Sequence, residues 1–318
     1  MRWDVHNHVT PRAALARLDD EAIPISISGD VISADRVRFE AGPYFTDPAA
    51  KLEELEKMGL EAAILSVAPP LLAYEADAKA AVPYCEAVNE GLAAHCTVAP
   101  DRLRWLAHVP MQSPDDAAAG LARAVEQGAV GAQVGTSVAG QPLDAPELEP
   151  FWAAAADLGV PVLLHPAYNG PNPGLDAFYL QNVIGNQLET TIATERLICA
   201  GTLDRHPGLR LMLVHAGGYL PWQIGRLRHA RGVRPELSEA PGEPKDALGQ
   251  IVVDTITHDP EILRMLIERM GADAVAMGTD GPFDMATPEP VRELTEAVGE
   301  DVARTVMEKS PVELFGLQ

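Results

Sequence analysis

Eight short runs rich in apolar and branched residues recur along the chain, over 3–8, 62–68, 104–110, 131–136, 161–166, 209–216, 251–258 and 274–279. Longer stretches with apolar residues three and four apart lie between them, over 47–58, 78–98, 115–127, 146–158, 189–205 and 260–270. The first pattern suits strands and the second amphipathic helices. Asp47-Pro48, Ser113-Pro114 and Asp259-Pro260 each set a capping side chain before a first-turn proline. Alternating strands and helices imply βαβ units on a parallel sheet. The strand tally predicts an α/β fold, a (β/α)8 TIM barrel, and 318 residues suit one barrel domain spanning 1–318 with insertions. An open doubly wound sheet fits less well, because His6-Asn7-His8 stands where a glycine-rich phosphate loop would be needed.

Two stretches interrupt the alternation. Residues 23–33 alternate with period two and turn at Gly29-Asp30, which predicts a small β-hairpin in an insertion over about 19–46, above the rim of the barrel. Residues 232–246, rich in proline, glycine and acid, read as an exposed loop.

Charge and cysteine content narrow the partners. With 24 Lys+Arg against 46 Asp+Glu the net charge is −22, which disfavours nucleic acid and anionic membranes. No apolar run is long enough for a membrane span, and the start lacks the layout of a secretory signal. Three scattered cysteines, Cys85, Cys96 and Cys199, favour reduced thiols and a cytoplasmic setting.

The chemistry concentrates at the ends of the strand-like runs. His6 and His8, two apart on a strand, project to one side and can share a metal ion. His165, His215 and Asp280 each close an apolar run at its C-terminal end, the face on which barrel active sites form. A buried imidazole or carboxylate is costly without a partner, so recurrence at successive strands points to a shared ion.

The series His6-x-His8, His165-Pro166, His215-Ala-Gly-Gly and Gly278-Thr-Asp-Gly-Pro-Phe283 resembles the amidohydrolase superfamily. Within it, the likeness is to the branch of metal-dependent decarboxylases that includes 2-amino-3-carboxymuconate-6-semialdehyde decarboxylase. Pro110-Met-Gln, Gln133-Val-Gly-Thr136, Glu189-Thr-Thr-Ile-Ala193 and His258-Asp-Pro260 extend it along nearly the whole chain. The resemblance implies that His6, His8, His165 and Asp280 bind one divalent ion, Zn2+ first and Mn2+ second. It also implies that His215 stays off the ion, hydrogen-bonded to a metal-bound water, and acts as the proton carrier, with Asp280 sharing the catalytic work. Arg226 matches a family arginine that reaches a substrate carboxylate across a homodimer interface. The implied activity is non-oxidative decarboxylation of a small unsaturated or aromatic carboxylic acid; hydrolysis or hydration of a lactone, amide or C–C bond is the alternative.

The family's arginine before Trp-Asp-Pro is missing from Gly42-Pro-Tyr-Phe-Thr-Asp-Pro48, and Arg36 and Arg38, two apart on a possible strand, are candidates to replace it. His108 and Trp222 are further candidate substrate contacts. His258 reads more simply as a hydrogen-bonded loop or core residue, and His95, His206 and His229 as surface residues. Trp3, Trp105, Trp152, Cys85 and Cys96 read as packing residues, and Asp4 and Asp254 as carboxylates that orient histidines.

Overall fold

A computed structural model describes residues 1–16, 22–34, 37–167, 173–244 and 246–317. The central strands are β1 (Trp3–Val9), β2 (Ala62–Val67), β3 (Leu103–Trp105, resumed at Ala107–His108), β4 (Ala132–Gly135), β5 (Val162–His165), β6 (Leu211–Leu213), β7 (Ile251–Asp254) and β8 (Val275–Ala276). Each pairs in parallel with the next. Strand β3 changes neighbour at Leu106, whose N–H bonds Leu65 on one side while the Ala107 N–H bonds Gly131 on the other. The ring closes where Val5 N–H donates to Met277 O, Asp280 N–H to His6 O and His8 N–H to Gly281 O. This is the expected TIM barrel.

Burial on both faces explains the apolar runs. Val5, Ile64, Leu163, Met212, Val252 and Ala276 share one buried cluster inside the barrel. Alternate residues such as Leu65, Val134, Leu164, Leu213 and Val253 belong to the cluster packed with the helices. Trp3, Trp105, Trp152, Cys85 and Cys96 are buried as expected. His95, expected at the surface, is buried on the helix Ala78–Cys96, where the apolar spacing continues to its last turn.

Asp47 and Asp259 cap their helices, accepting from Ala49 N–H, and from Glu261 and Ile262 N–H. Ser113 does not; its hydroxyl donates to the Asp116 carboxylate at 2.6 Å, a charged acceptor and hence a stronger one. The predicted strand runs 209–216, 251–258 and 274–279 are longer than the observed strands. The chain turns away at or just past their ends, with His215 at φ 53°, His258 at φ 53° and Asp280 at φ 65°. Chain leaving the sheet there carries the polar groups onto the rim.

The insertion contains the predicted hairpin, Ile25–Ser28 against Val31–Ala34 around Gly29 at φ 61°, and adds a third antiparallel strand, Val37–Glu40. Phe39 on that strand stacks with Phe45 and Phe283, and Phe283 lies 5.3 Å from the His8 ring. The insertion thus covers the C-terminal rim of the barrel. The expected loop over 232–246 begins inside the helix Leu220–Val233 and includes a further helical turn, Pro235–Ser238.

Beneath the rim runs a buried polar chain. Lys51 Nζ donates to Glu54 Oε2 at 2.5 Å and to Asn7 Oδ1 at 2.6 Å. Asn7 Nδ2 donates to Asp4 Oδ2 at 2.8 Å, which also accepts from Thr279 Oγ1 at 2.6 Å. This chain ties the outer helix Pro48–Lys57 to β1 and to the residue preceding Asp280. Removing one member of a buried ion pair strands the other charge. Lys51→Met is therefore expected to lower stability by about 3–5 kcal/mol, with Lys51→Met/Glu54→Leu recovering most of the loss. Chemical denaturation measures both, and equal losses would contradict the account.

Candidate metal centre

His6 and His8 of β1, His165 at the end of β5, His215 just beyond β6 and Asp280 beyond β8 form one knot at the C-terminal face. His6 Nε2 lies 3.1 Å from His8 Nε2, and Asp280 Oδ1 lies 3.1 Å from His8 Nε2 and 3.4 Å from His6 Nε2. The His165 ring centre is 5.3 Å from that of His6 and 5.2 Å from that of His8. Ligand atoms of His6, His165, His215 and Asp280 all fall within 4.8 Å of one another.

The outer hydrogen bonds fix which nitrogen faces inward. His6 Nδ1 is 2.8 Å from Asp254 Oδ2, and His165 Nδ1 is 3.0 Å from the Pro166 carbonyl oxygen. Both partners are acceptors, so each Nδ1 carries the proton and each Nε2 presents a lone pair. The Ser66 hydroxyl donates to Asn7 O and accepts from His8 Nδ1 at 3.0 Å, which sets His8 the same way. His165 Nε2 is buried and has no hydrogen-bond partner among the described residues. Lone pairs and a carboxylate that converge in a water-poor space repel one another unless a cation lies between them. Three imidazole nitrogens and one carboxylate suit Zn2+ or Mn2+.

The electrostatics favour the states an ion needs at Asp280, His8 and His165, whereas at His6 burial is outweighed by the carboxylates of Asp280 and Asp254, which push it up. Burial would raise the Asp280 carboxyl, but His6, His215 and His8 around it hold it well below the usual carboxylate range. Burial pushes His8 down to about 4 and, with the neighbouring histidines, pushes His165 well below its usual value. Neutral imidazoles and an ionised carboxylate are the metal-binding forms.

Asp254 organises the centre. It is fully buried at the end of β7 and accepts from His6 Nδ1, His215 N–H at 2.9 Å, Ala216 N–H at 2.6 Å and Ile256 N–H at 3.1 Å. The loop it grips has positive φ at every residue from His215 to Gly218. A Cβ on Gly218 would come within 2.4 Å of the Gln187 carbonyl, which accounts for the paired glycines after His215-Ala216. Glu189 makes a similar tie, accepting from Thr136 Oγ1 and Ala167 N–H beyond β4 and β5.

A cavity of about 290 Å3 opens beside the knot, with His215 and Asp280 in its wall. Trp222, Tyr219, Ile256, Ile262 and Met285 give it an apolar lining, and Asn182, Gln187, Thr257 and His258 a polar one. Trp222 is where a substrate contact was expected. Arg226, one helical turn further along, is exposed and outside this lining. Arg38 is exposed and adjacent in its strand to the inward-packed Phe39, so it occupies the opposite face. Arg36 lies outside the described residues.

His108 is not part of this pocket. Asn89 clamps its backbone through the His108 N–H and carbonyl, and the residue borders a separate cavity between the helices Ala78–Cys96 and Pro114–Glu126. There it packs 5.5 Å from Tyr84, and burial lowers it to about 3. His258, read from sequence as a bland loop residue, is instead part of the pocket wall. Its position just past an apolar run, as with His215, was the available signal.

A family model described as Amidohydrolase matches residues 3–317. The 2-amino-3-carboxymuconate-6-semialdehyde decarboxylase of Dictyostelium discoideum is 30% identical over 276 residues, covering 85% of this chain and 77% of its own. The gamma-resorcylate decarboxylase of Rhodococcus jostii is 31% identical over 287 residues, covering 79% and 84%. The solved structure of a dihydroxybenzoic acid decarboxylase from a Polaromonas species, with bound manganese and the inhibitor 2-nitroresorcinol, shares the fold. Its TM-score is 0.80 at 23% identity, over 99% of this chain and 97% of that one.

Asp254→Asn removes the anionic acceptor that sets the His6 tautomer. Metal affinity, measured by competition with a chelator, is expected to fall about 10- to 100-fold. Unchanged affinity would refute the assigned part of Asp254.

Proposed function

Because the chain belongs to the amidohydrolase family, we propose that it is a metal-dependent, non-oxidative decarboxylase of a small aromatic or unsaturated carboxylic acid. The observation that carries this reading is the knot itself, with inward lone pairs on His6, His8 and His165 and a pocket that meets it at His215 and Asp280. In this reading His6, His8, His165 and Asp280 hold one divalent ion, zinc or manganese, which when bound supplies positive charge beside the reacting carboxylate.

His215 is near enough to join the ligands. Its place on the pocket wall, which His6, His8 and His165 do not reach, favours a proton-carrying role. Its Nε2 lies 3.5 Å from Asp280 Oδ2, so the two can hold a proton at the edge of the pocket. The bond between the carboxyl carbon and its neighbour breaks with the electron pair left on the neighbour, and CO2 departs. A proton from His215 Nε2 then fills that carbon, and solvent restores the histidine. Trp222 and Ile256 exclude water from the flat part of the substrate.

We assign the working unit as a homodimer. Ile184, Leu188 and Ile192 form an exposed stripe at four-residue spacing, with Trp222, Ile262 and Met265 also exposed. An apolar surface of this kind marks an interface, and Arg226 on the same side as Trp222 suits a carboxylate presented by the facing copy. The described helices include none long and apolar enough to cross a membrane. All three cysteines are free, which fits a reducing, cytoplasmic setting.

Metal analysis combined with CO2 detection over a panel of aromatic carboxylates tests the reaction. His215→Ala is expected to keep the metal and lose turnover at least 100-fold (about 10²–10⁴ for a lost proton carrier), whereas Asp280→Ala loses both. Hydrolytic products without CO2, or equal metal loss in the two variants, would overturn the assignment. In sedimentation, the wild-type chain should run as a dimer and Leu188→Asp as a monomer; a wild-type monomer refutes the interface.

A further inference from the structure

The sequence Glu189-Thr190-Thr191 lies on the helix Asn186–Cys199, which starts directly after one π-helical turn, Gln181–Gly185. Asn182, Val183 and Gln187 of this segment line the pocket, whereas Glu189 is buried and lies outside the described lining. Both oxygens of its carboxylate are engaged. Oε2 accepts from Thr136 Oγ1 and from Ala167 N–H, each at 3.1 Å, and Oε1 accepts from Gln181 Nε2 at 3.2 Å.

One of these bonds leads to the metal centre. The Ala167 N–H belongs to the same peptide group as the Pro166 carbonyl, which receives the His165 Nδ1 proton at 3.0 Å. The Thr136 hydroxyl that donates to Glu189 also accepts from Ala167 N–H at 3.1 Å, so the peptide is held by a closed triangle. A carboxylate on the N–H side of a peptide makes its oxygen a better acceptor, because hydrogen bonds in series polarise one another. His6 has the Asp254 carboxylate directly behind it, and His165 has Glu189 one peptide further out.

The other oxygen leads to the pocket. Gln181 reaches Glu189 across Gly185, where a Cβ would stand 2.4 Å from Gln181 Nε2. Gly185 has an ordinary helical φ of −62°, so it is the missing side chain that makes room for the amide. The bond fixes the turn whose next two residues, Asn182 and Val183, are pocket wall.

We propose that Glu189 is a positioning residue that joins the metal centre to the pocket wall. Through the Pro166–Ala167 peptide it orients His165, and through Gln181 it holds the π-helical turn in place. The second arm rests on the decarboxylase reading, since it concerns substrate, whereas the first is read from metal binding alone.

Chelator competition on the full chain, with Zn2+ as the probe, tests the first arm. Glu189→Ala is expected to lower zinc affinity about tenfold, the scale for an outer partner of a metal-bound histidine. Glu189→Gln should restore most of it, because its carbonyl oxygen can still accept from Ala167 and Thr136 while its NH2 meets a turned Gln181 amide. Glu189→Asp, which draws the carboxylate back by one methylene, should lose affinity as the alanine variant does, and it decides the matter if Glu189→Ala does not fold. Gly185→Ala displaces the Gln181 amide and places a better helix former on unstrained backbone, so zinc affinity should stay at the wild-type value. Steady-state kinetics test the second arm. Gly185→Ala and Gln181→Ala should each raise KM about fivefold, the scale of one hydrogen bond, with kcat nearly unchanged and the double variant no worse than either. Wild-type zinc affinity in Glu189→Ala or Glu189→Asp, an equal loss in Glu189→Gln, or an unchanged KM in Gly185→Ala overturns the inference. Zinc affinity lost in Glu189→Ala, from a chain that releases no CO2, supports the link to His165 and overturns the decarboxylase reading alone.

Discussion

Everything at the rim of this barrel depends on the convergence of imidazole lone pairs and a carboxylate in a buried space. Such a cluster is repulsive by itself, and it holds its shape because each ring is anchored from behind. Asp254 does most of this, fixing the tautomer of His6 and gripping the loop that carries His215. Pro166 and Ser66 anchor His165 and His8. The anchors come from different strands, so the centre is complete only in the closed barrel.

The polar chain from Glu54 through Lys51, Asn7 and Asp4 to Thr279 has the complementary task. It joins β1 to the segment that delivers Asp280, across the seam where the last strand meets the first. Buried ionic groups are weak sources of net stability. Here their directional bonds set the register of the seam, and a slip there would carry Asp280 away from His6 and His8.

Much of this was legible in the sequence. The barrel followed from eight apolar runs at helix-separated intervals, and the centre followed from polar residues closing those runs. Both signals are local and periodic, so they survive without knowledge of tertiary contacts. Other features depended on contacts that no local pattern encodes. His108 closes a run as His165 does, but Asn89 holds its backbone and its ring packs against Tyr84 rather than joining the knot. Arg38 shares a strand with Phe39, and the stacking of Phe39 with Phe45 and Phe283 assigns it the outer face. His258 looked ordinary because its place in the pocket depends on a left-handed turn beyond β7. The run that seemed to continue as strand through 258 had already left the sheet.

The central claim is that His6, His8, His165 and Asp280 present one inward coordination set. X-ray absorption of the zinc- or manganese-loaded chain, combined with anomalous diffraction, tests it most directly. The account predicts one ion per chain held by three Nε2 atoms and an Asp280 oxygen at about 2.0–2.2 Å, with His215 outside bonding distance. An ion bound through His215 with His8 left out, or a chain that takes up no divalent metal, would contradict it.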